Sequence, residues 1–218
     1  MNLRVGFDLD GVLADMSAAL RREERRIFGA SDAGVSPEVP RDARNLTVAQ
    51  NELLWRAVAT IDNFWQTLPE VESGAIATLA ARARFERWEV IFLTSRPETA
   101  GDTPQLQTQR WLDVNGFDLP SVYVVSGSRG KIADALDLDV VVDDLPENAM
   151  DVLSDSRAAA ILFWRQPHDM VPASLLQHGC KIVSSMEACL SLLDAIKRDQ
   201  SPTMFGRVKR AFGLAREL

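Results

Sequence analysis

The chain has 218 residues, a net charge of −7 and a sequence pI of about 4.9, a balance that excludes a general nucleic-acid binder, which would carry a basic face. Its length fits one α/β domain with a modest insertion, and its 46% hydrophobic content can bury a full core without disulfides or a structural metal. The amino terminus, MNLRVGFDLDG, has no signal-peptide apolar region, and no run approaches the ~18 apolar residues of a spanning helix, so a cytoplasmic protein is expected.

Residues 3–7 form a short apolar run ending in Asp8-Leu9-Asp10-Gly11, which reads as a buried strand and a turn. Two helical stretches follow, 17–28 and 48–61, separated by a Pro/Gly/Ser-rich loop over 29–44. No strand pattern occurs in this region, so residues 16–69 are expected to be a helical insertion after the first strand. A helix is predicted over 74–87, then a strand over 90–93 that ends in Thr94-Ser95-Arg96-Pro97. Next come a helix over 105–115, with Gly116 placed to end it, and a strand over 122–125 that ends in Ser126-Gly127-Ser128. Short helices over 131–136 and 147–153 bracket a strand over 140–142 that ends in Asp143-Asp144. A strand over 160–163, an edge strand over 181–183 and an amphipathic helix over 186–198 complete the pattern. Alternating strands and helices with nearly all-apolar strands indicate a doubly wound parallel sheet. The core is expected to comprise residues 1–15 and 70–200, leaving 201–218 as a tail.

In an open α/β sheet, ligands bind beyond the carboxyl ends of the strands. The residues that follow each apolar run therefore converge on one edge: Asp8 and Asp10, Thr94 and Ser95, Ser126 and Ser128, Asp143 and Asp144. Four carboxylates at one place repel one another unless some are protonated or a cation lies among them. Oxygen donors without His or Cys favour a hard ion, and Mg²⁺ suits a phosphate-handling site. The hydroxyls of Thr94 and Ser95 and the charge of Lys131, with Arg129 as a second candidate, can hold a phosphate. Such a site meets the needs of phosphoryl transfer to a carboxylate, with a second carboxyl as acid and base.

Four segments together resemble the motifs of the haloacid-dehalogenase superfamily over roughly residues 3–151. FDLDGVLAD (7–15) is similar to its first motif in the DxDG phosphatase form, and Leu93-Thr94-Ser95 to its second. Lys131 stands where the third places a lysine, and VVVDD (140–144) is similar to the fourth. The resemblance implies that Asp8 is nucleophile and metal ligand, and that Asp10 is acid/base and offers its backbone carbonyl to Mg²⁺. Thr94 or Ser95 with Lys131 would bind phosphate, and the Asp143/Asp144 pair would complete the metal site. It also implies that the helical insertion is a small cap.

Within the superfamily the sequence looks most like the 5′(3′)-deoxyribonucleotidases. The carriers are DGVLAD, a cap ending in Phe64-Trp65-x-x-Leu68-Pro69, and VVDDLPEN. That likeness implies a nucleoside monophosphate as substrate, no stable nucleic-acid complex, and Trp65 as a candidate to stack on a base. Phosphatases of sugar phosphates, polynucleotide-end phosphatases and a catalytically silent binding module are the competing readings. Asp15 is expected to cap the helix that follows it. Cys180 and Cys189 lie outside any metal or redox spacing and are expected to be plain thiols. The tail carries Arg207, Lys209, Arg210 and Arg216 beside an apolar face, the pattern of a helix that touches a membrane surface or an acidic partner.

Overall fold

The computed structural model describes residues 2–29 and 46–200. Six parallel strands form one sheet in the order β3-β2-β1-β4-β5-β6. They are β1 (Arg4–Asp8), β2 (Glu89–Thr94), β3 (Ser121–Val124), β4 (Val140–Asp143), β5 (Ala159–Phe163) and β6 (Lys181–Val183). The helices are α1 (Met16–Phe28), α2 (Val48–Ala59), α3 (Ala75–Glu86), α4 (Pro104–Val114), α5 (Arg129–Ala135), α6 (Pro146–Asp155), α7 (Ala173–Gln177) and α8 (Met186–Gln200). The doubly wound α/β class expected from the sequence is the observed one.

Successive strand side chains point to opposite faces, and the apolar residues divide accordingly. Phe7, Phe92, Val142, Ile161 and Phe163 join one buried cluster with Leu79 of α3, Trp111 of α4 and Leu190 of α8. Leu20 of α1, Leu54 of α2 and the 3₁₀ residues Phe64 and Trp65 belong to the same cluster. Leu93, Val141, Ala160 and Leu162 form a second cluster on the other face with Ala133 of α5, Val152 of α6 and Leu175 of α7.

Local chemistry places most helix starts. The Asp15 carboxylate accepts from the Ala18 N–H at 2.8 Å, so Asp15 is the cap that the sequence suggested. Thr47 and Gln50 form a reciprocal capping box at α2. Thr103 caps α4 ahead of Pro104, and Ser128 caps α5. Gly116, at φ +99°, follows the end of α4 in the left-handed conformation expected of it. The loop expected over 29–44 falls almost wholly outside the described residues, as does the whole basic tail.

The chain leaves the sheet after β1 and returns to it along its own path. The Asp15 N–H donates to the Pro69 carbonyl at 2.9 Å and the Val71 N–H to the Leu13 carbonyl at 2.8 Å. Ala14 and Glu70 form an antiparallel bridge between these two bonds. Among the described residues, no helix is long and apolar enough to cross a membrane.

Candidate active site

From β1 the chain runs to β2 and β3 on one side, while β4, β5 and β6 build the other. The order therefore reverses between β1 and β4, and the crevice of such a sheet opens there. Asp8 ends β1 and Asp143 ends β4, so the two carboxylates flank that point. Oxygens of Asp8, Asp143 and Asp144 lie within 4.8 Å of one another. Asp8 is 7% exposed and Asp143 1%, so both charges are largely withdrawn from water.

Burial raises the Asp8 carboxyl well above the ordinary value of 3.8, and the negative charges of Asp143 and Asp144 push in the same direction; Arg129 opposes them. Burial also raises Asp143, against hydrogen bonds that favour its anion. Those bonds are numerous. Asp143 accepts from the Leu145 N–H at 2.9 Å, from Asn148 Nδ2 at 3.0 and 3.1 Å, and from Arg129 Nε at 3.4 Å. Three crowded carboxyl groups, two of them with their anionic form disfavoured by burial, suit a hard divalent cation such as Mg²⁺, which would offset that cost.

Arg129 reaches two of these carboxylates, Asp8 and Asp143. Its Nη2 donates to Asp8 at 2.8 Å and lies 3.4 Å from Ser95 Oγ. Its Nη1 is buried and has no hydrogen-bond partner among the described residues. An orphaned guanidinium donor beside an exposed serine hydroxyl is a ready site for an oxyanion. Lys131, the residue singled out from spacing, has an exposed side chain and no ion pair among the described residues. The correction has a geometric cause. Residues two apart on a helix point about 200° apart around its axis, so when Arg129 faces the strand ends, Lys131 faces away.

The two hydroxyls after β2 also separate. Thr94 is fully buried, with Oγ1 donating to Asp10 at 3.3 Å, while Ser95 lies on the Arg129 side. Asp10 stands apart from the three-carboxylate cluster by its side chain. Arg96 grips it in a fork, with Nη2–Oδ1 at 2.9 Å and Nε–Oδ2 at 3.1 Å. Ser126 and Ser128 do not join these groups; Ser128 Oγ serves the start of α5.

Trp65 is not available as a stacking platform for a ligand. It is 0% exposed, its indole N–H donates to the Pro97 carbonyl at 2.9 Å, and its ring faces the Arg96 guanidinium at 5.0 Å. Packing against a residue of the second motif has taken the face that a base would need. Sequence reasoning missed Arg96 and Asn148. Each lies inside a segment already marked, directly after Thr94-Ser95 and five residues after Asp143.

No family model and no curated relative matches the sequence. Solved structures do. A HAD family hydrolase from Deinococcus radiodurans R1, with bound phosphate and sodium, aligns with a TM-score of 0.55 at 14% identity, covering 90% of this chain and 96% of that one. A haloacid dehalogenase-like hydrolase from Xanthomonas campestris aligns at 0.54 and 14% identity, over 91% and 97% of the two chains. A haloacid dehalogenase-like protein from Streptococcus pneumoniae aligns at 0.51 and 13%, over 88% and 98%. Six parallel strands in this order, with the helices on both faces and the acidic residues at the strand ends, give the chain the fold of the haloacid-dehalogenase-type hydrolases.

Proposed function

We propose that this chain is a Mg²⁺-dependent phosphomonoester hydrolase that acts through an aspartyl-phosphate on Asp8, with nucleoside 5′(3′)-monophosphates as substrates in the cytoplasm. The observation that carries this reading is the buried Asp8/Asp143/Asp144 cluster with Arg129 between Asp8 and Asp143. Asp8, Asp143 and Asp144 would hold the ion, together with the Asp10 carbonyl. When bound, it would offset the repulsion between an anionic nucleophile and an anionic phosphate.

The residues divide the remaining work. Arg129 Nη1 and the Ser95 hydroxyl bind phosphate oxygens and align the phosphorus with Asp8. An Asp8 oxygen attacks phosphorus, the ester P–O bond breaks, and the leaving oxygen takes the proton of the Asp10 carboxyl. Water then attacks the phosphorus of the acyl phosphate and gives its proton to the Asp10 carboxylate, which frees phosphate and Asp8. Asp10 also argues against dehalogenation, because a halide leaves without needing a proton.

Residues 16–69 form the cap in this reading, which the hydrogen-bonded backbone at 13–15 and 69–71 supports. Nucleotide selectivity rests on the sequence likeness of DGVLAD and VVDDLPEN. Because Trp65 is buried, base recognition falls to other residues of the cap. Sugar phosphates are the alternative substrates.

Phosphate release from a panel of nucleotides, sugar phosphates and haloacids, with Mg²⁺ or EDTA, tests the reading. Release that needs Mg²⁺, ranks nucleotides first and is lost in Asp8→Asn supports it. Halide release instead, or no release from a folded protein, overturns it.

A further inference from the structure

Arg96 has an unusual setting for a charged side chain. It is 0% exposed by its side chain, and every one of its nitrogens is engaged. Nε and Nη2 hold both oxygens of Asp10, and Nη1 donates to Thr108 Oγ1 at 2.9 Å on the buried side of α4. Two aromatic rings lie against the guanidinium, with the Trp65 centroid 5.0 Å and the Trp111 centroid 5.7 Å from its Cζ. Trp65 comes from the segment between β1 and β2, Trp111 from α4, and each indole N–H is tied to a backbone carbonyl, Pro97 at 2.9 Å and Leu68 at 2.7 Å. A guanidinium with every nitrogen engaged and two anchored rings against it has little freedom to turn.

Asp10 needs such a fixture. It lies on the loop after β1, beside Gly11 at φ +103°, with no helix or strand to set its rotamer. A bidentate fork fixes both the position and the plane of a carboxylate. A lysine would supply charge alone. Simple charge neutralisation needs neither the fork nor the two rings against the guanidinium, so the geometry indicates aim rather than compensation.

We infer that Arg96, packed against Trp65 and Trp111, is the positioning residue that aims Asp10 at the leaving-group oxygen. This rests on the hydrolase reading above. Arg96 transfers no proton itself. In the phosphorylation step the Asp8–phosphorus bond forms, the phosphorus–oxygen ester bond breaks, and the proton on Asp10 goes to the departing oxygen. Misaiming Asp10 therefore harms only those substrates whose leaving group needs that proton.

The test compares kcat/KM, which stops at formation of the phosphoenzyme, for a nucleoside 5′-monophosphate and for p-nitrophenyl phosphate, whose phenolate leaves unassisted. Arg96→Lys, Asp10→Asn and the double variant are measured beside the wild type, with folding checked by circular dichroism. The milder Thr108→Val loosens Arg96 while preserving the Arg96–Asp10 pair. Expected for Arg96→Lys is a loss of about 100-fold on the nucleotide, within the range for general acid catalysis, and less than about 5-fold on the aryl ester. Thr108→Val shows the same selectivity in weaker form, and the double variant is no worse than Asp10→Asn. Equal losses on both esters, or a multiplicative double variant, overturn the role of Arg96 and leave the hydrolase reading standing. A wild type that hydrolyses neither ester overturns both.

Discussion

Arg129 and Lys131 differ at the residue scale by orientation, and their alanine variants should differ accordingly. Arg129→Ala strips Asp8 and Asp143 of their counter-charge. Breaking a buried pair costs about 3 kcal/mol, and loss of the phosphate donor should lower kcat/KM by about 10³-fold. Lys131→Ala removes an exposed side chain and should leave the melting temperature within about 2 °C and KM within about twofold of wild type. Phosphate-release kinetics and thermal melts on both variants check this. Asp8→Asn should reduce turnover to background yet raise the melting temperature in metal-free buffer at neutral pH. The neutral amide relieves the repulsion that raises the Asp8 carboxyl, and each 1 kcal/mol gained is worth about 2–4 °C in a chain of this size. The sequence already contained most of this site, because chemistry-bearing residues followed apolar runs. It could not supply the choice between Arg129 and Lys131, since that depends on where α5 begins. Nor could it place Trp65 against Arg96, which is a contact between distant segments with no periodic trace.

Where α5 meets α6, the elements touch backbone to side. A Cβ added at Gly130 would lie 2.1 Å from the Asp151 carbonyl oxygen, far inside contact distance. Gly130→Ala should force the two helices apart, cost about 3 kcal/mol, and shift Arg129, its immediate neighbour. Chemical denaturation paired with kcat/KM should show both losses together. The ends of β1 and β4 carry a second prediction. In the metal-free chain the Asp8 and Asp143 carboxyls are raised above their ordinary value of 3.8, so their contribution to stability is present below that value and is lost as pH rises through the raised values. Mg²⁺ should therefore raise the melting temperature at pH 7.5 and have little effect near pH 4; a shift that is equal at both pH values would contradict it. All six strands were legible from apolar runs: the four inner strands are buried on both faces and so nearly pure in composition, while the edge strands β3 and β6 keep short apolar runs despite their exposure. Helix α7, five residues long, was not, since a single turn leaves no measurable periodicity.

Across the whole molecule, the inserted helices and one face of the sheet share a single apolar cluster, from Leu20 and Leu54 through Phe64 to Phe7 and Phe92. The chain should consequently unfold in one calorimetric transition, with van't Hoff and calorimetric enthalpies equal; a separate early transition for residues 16–69 would contradict this. The fold class was legible at this scale from the alternation of elements alone. The shared cluster was not, because an apolar helical face in a sequence does not name the surface that it covers. The paired backbone at 13–15 and 69–71 has one more consequence. It brings the two ends of the inserted segment to within one hydrogen bond of each other, 2.9 Å from the Asp15 nitrogen to the Pro69 oxygen. A segment whose two ends meet enters and leaves its host at one place, so its length can change with no change in the order or register of the sheet, provided that the apolar face it shares with the host is kept. The carboxylates at the ends of β1 and β4 stay where the strands put them while the segment between the two joined ends varies.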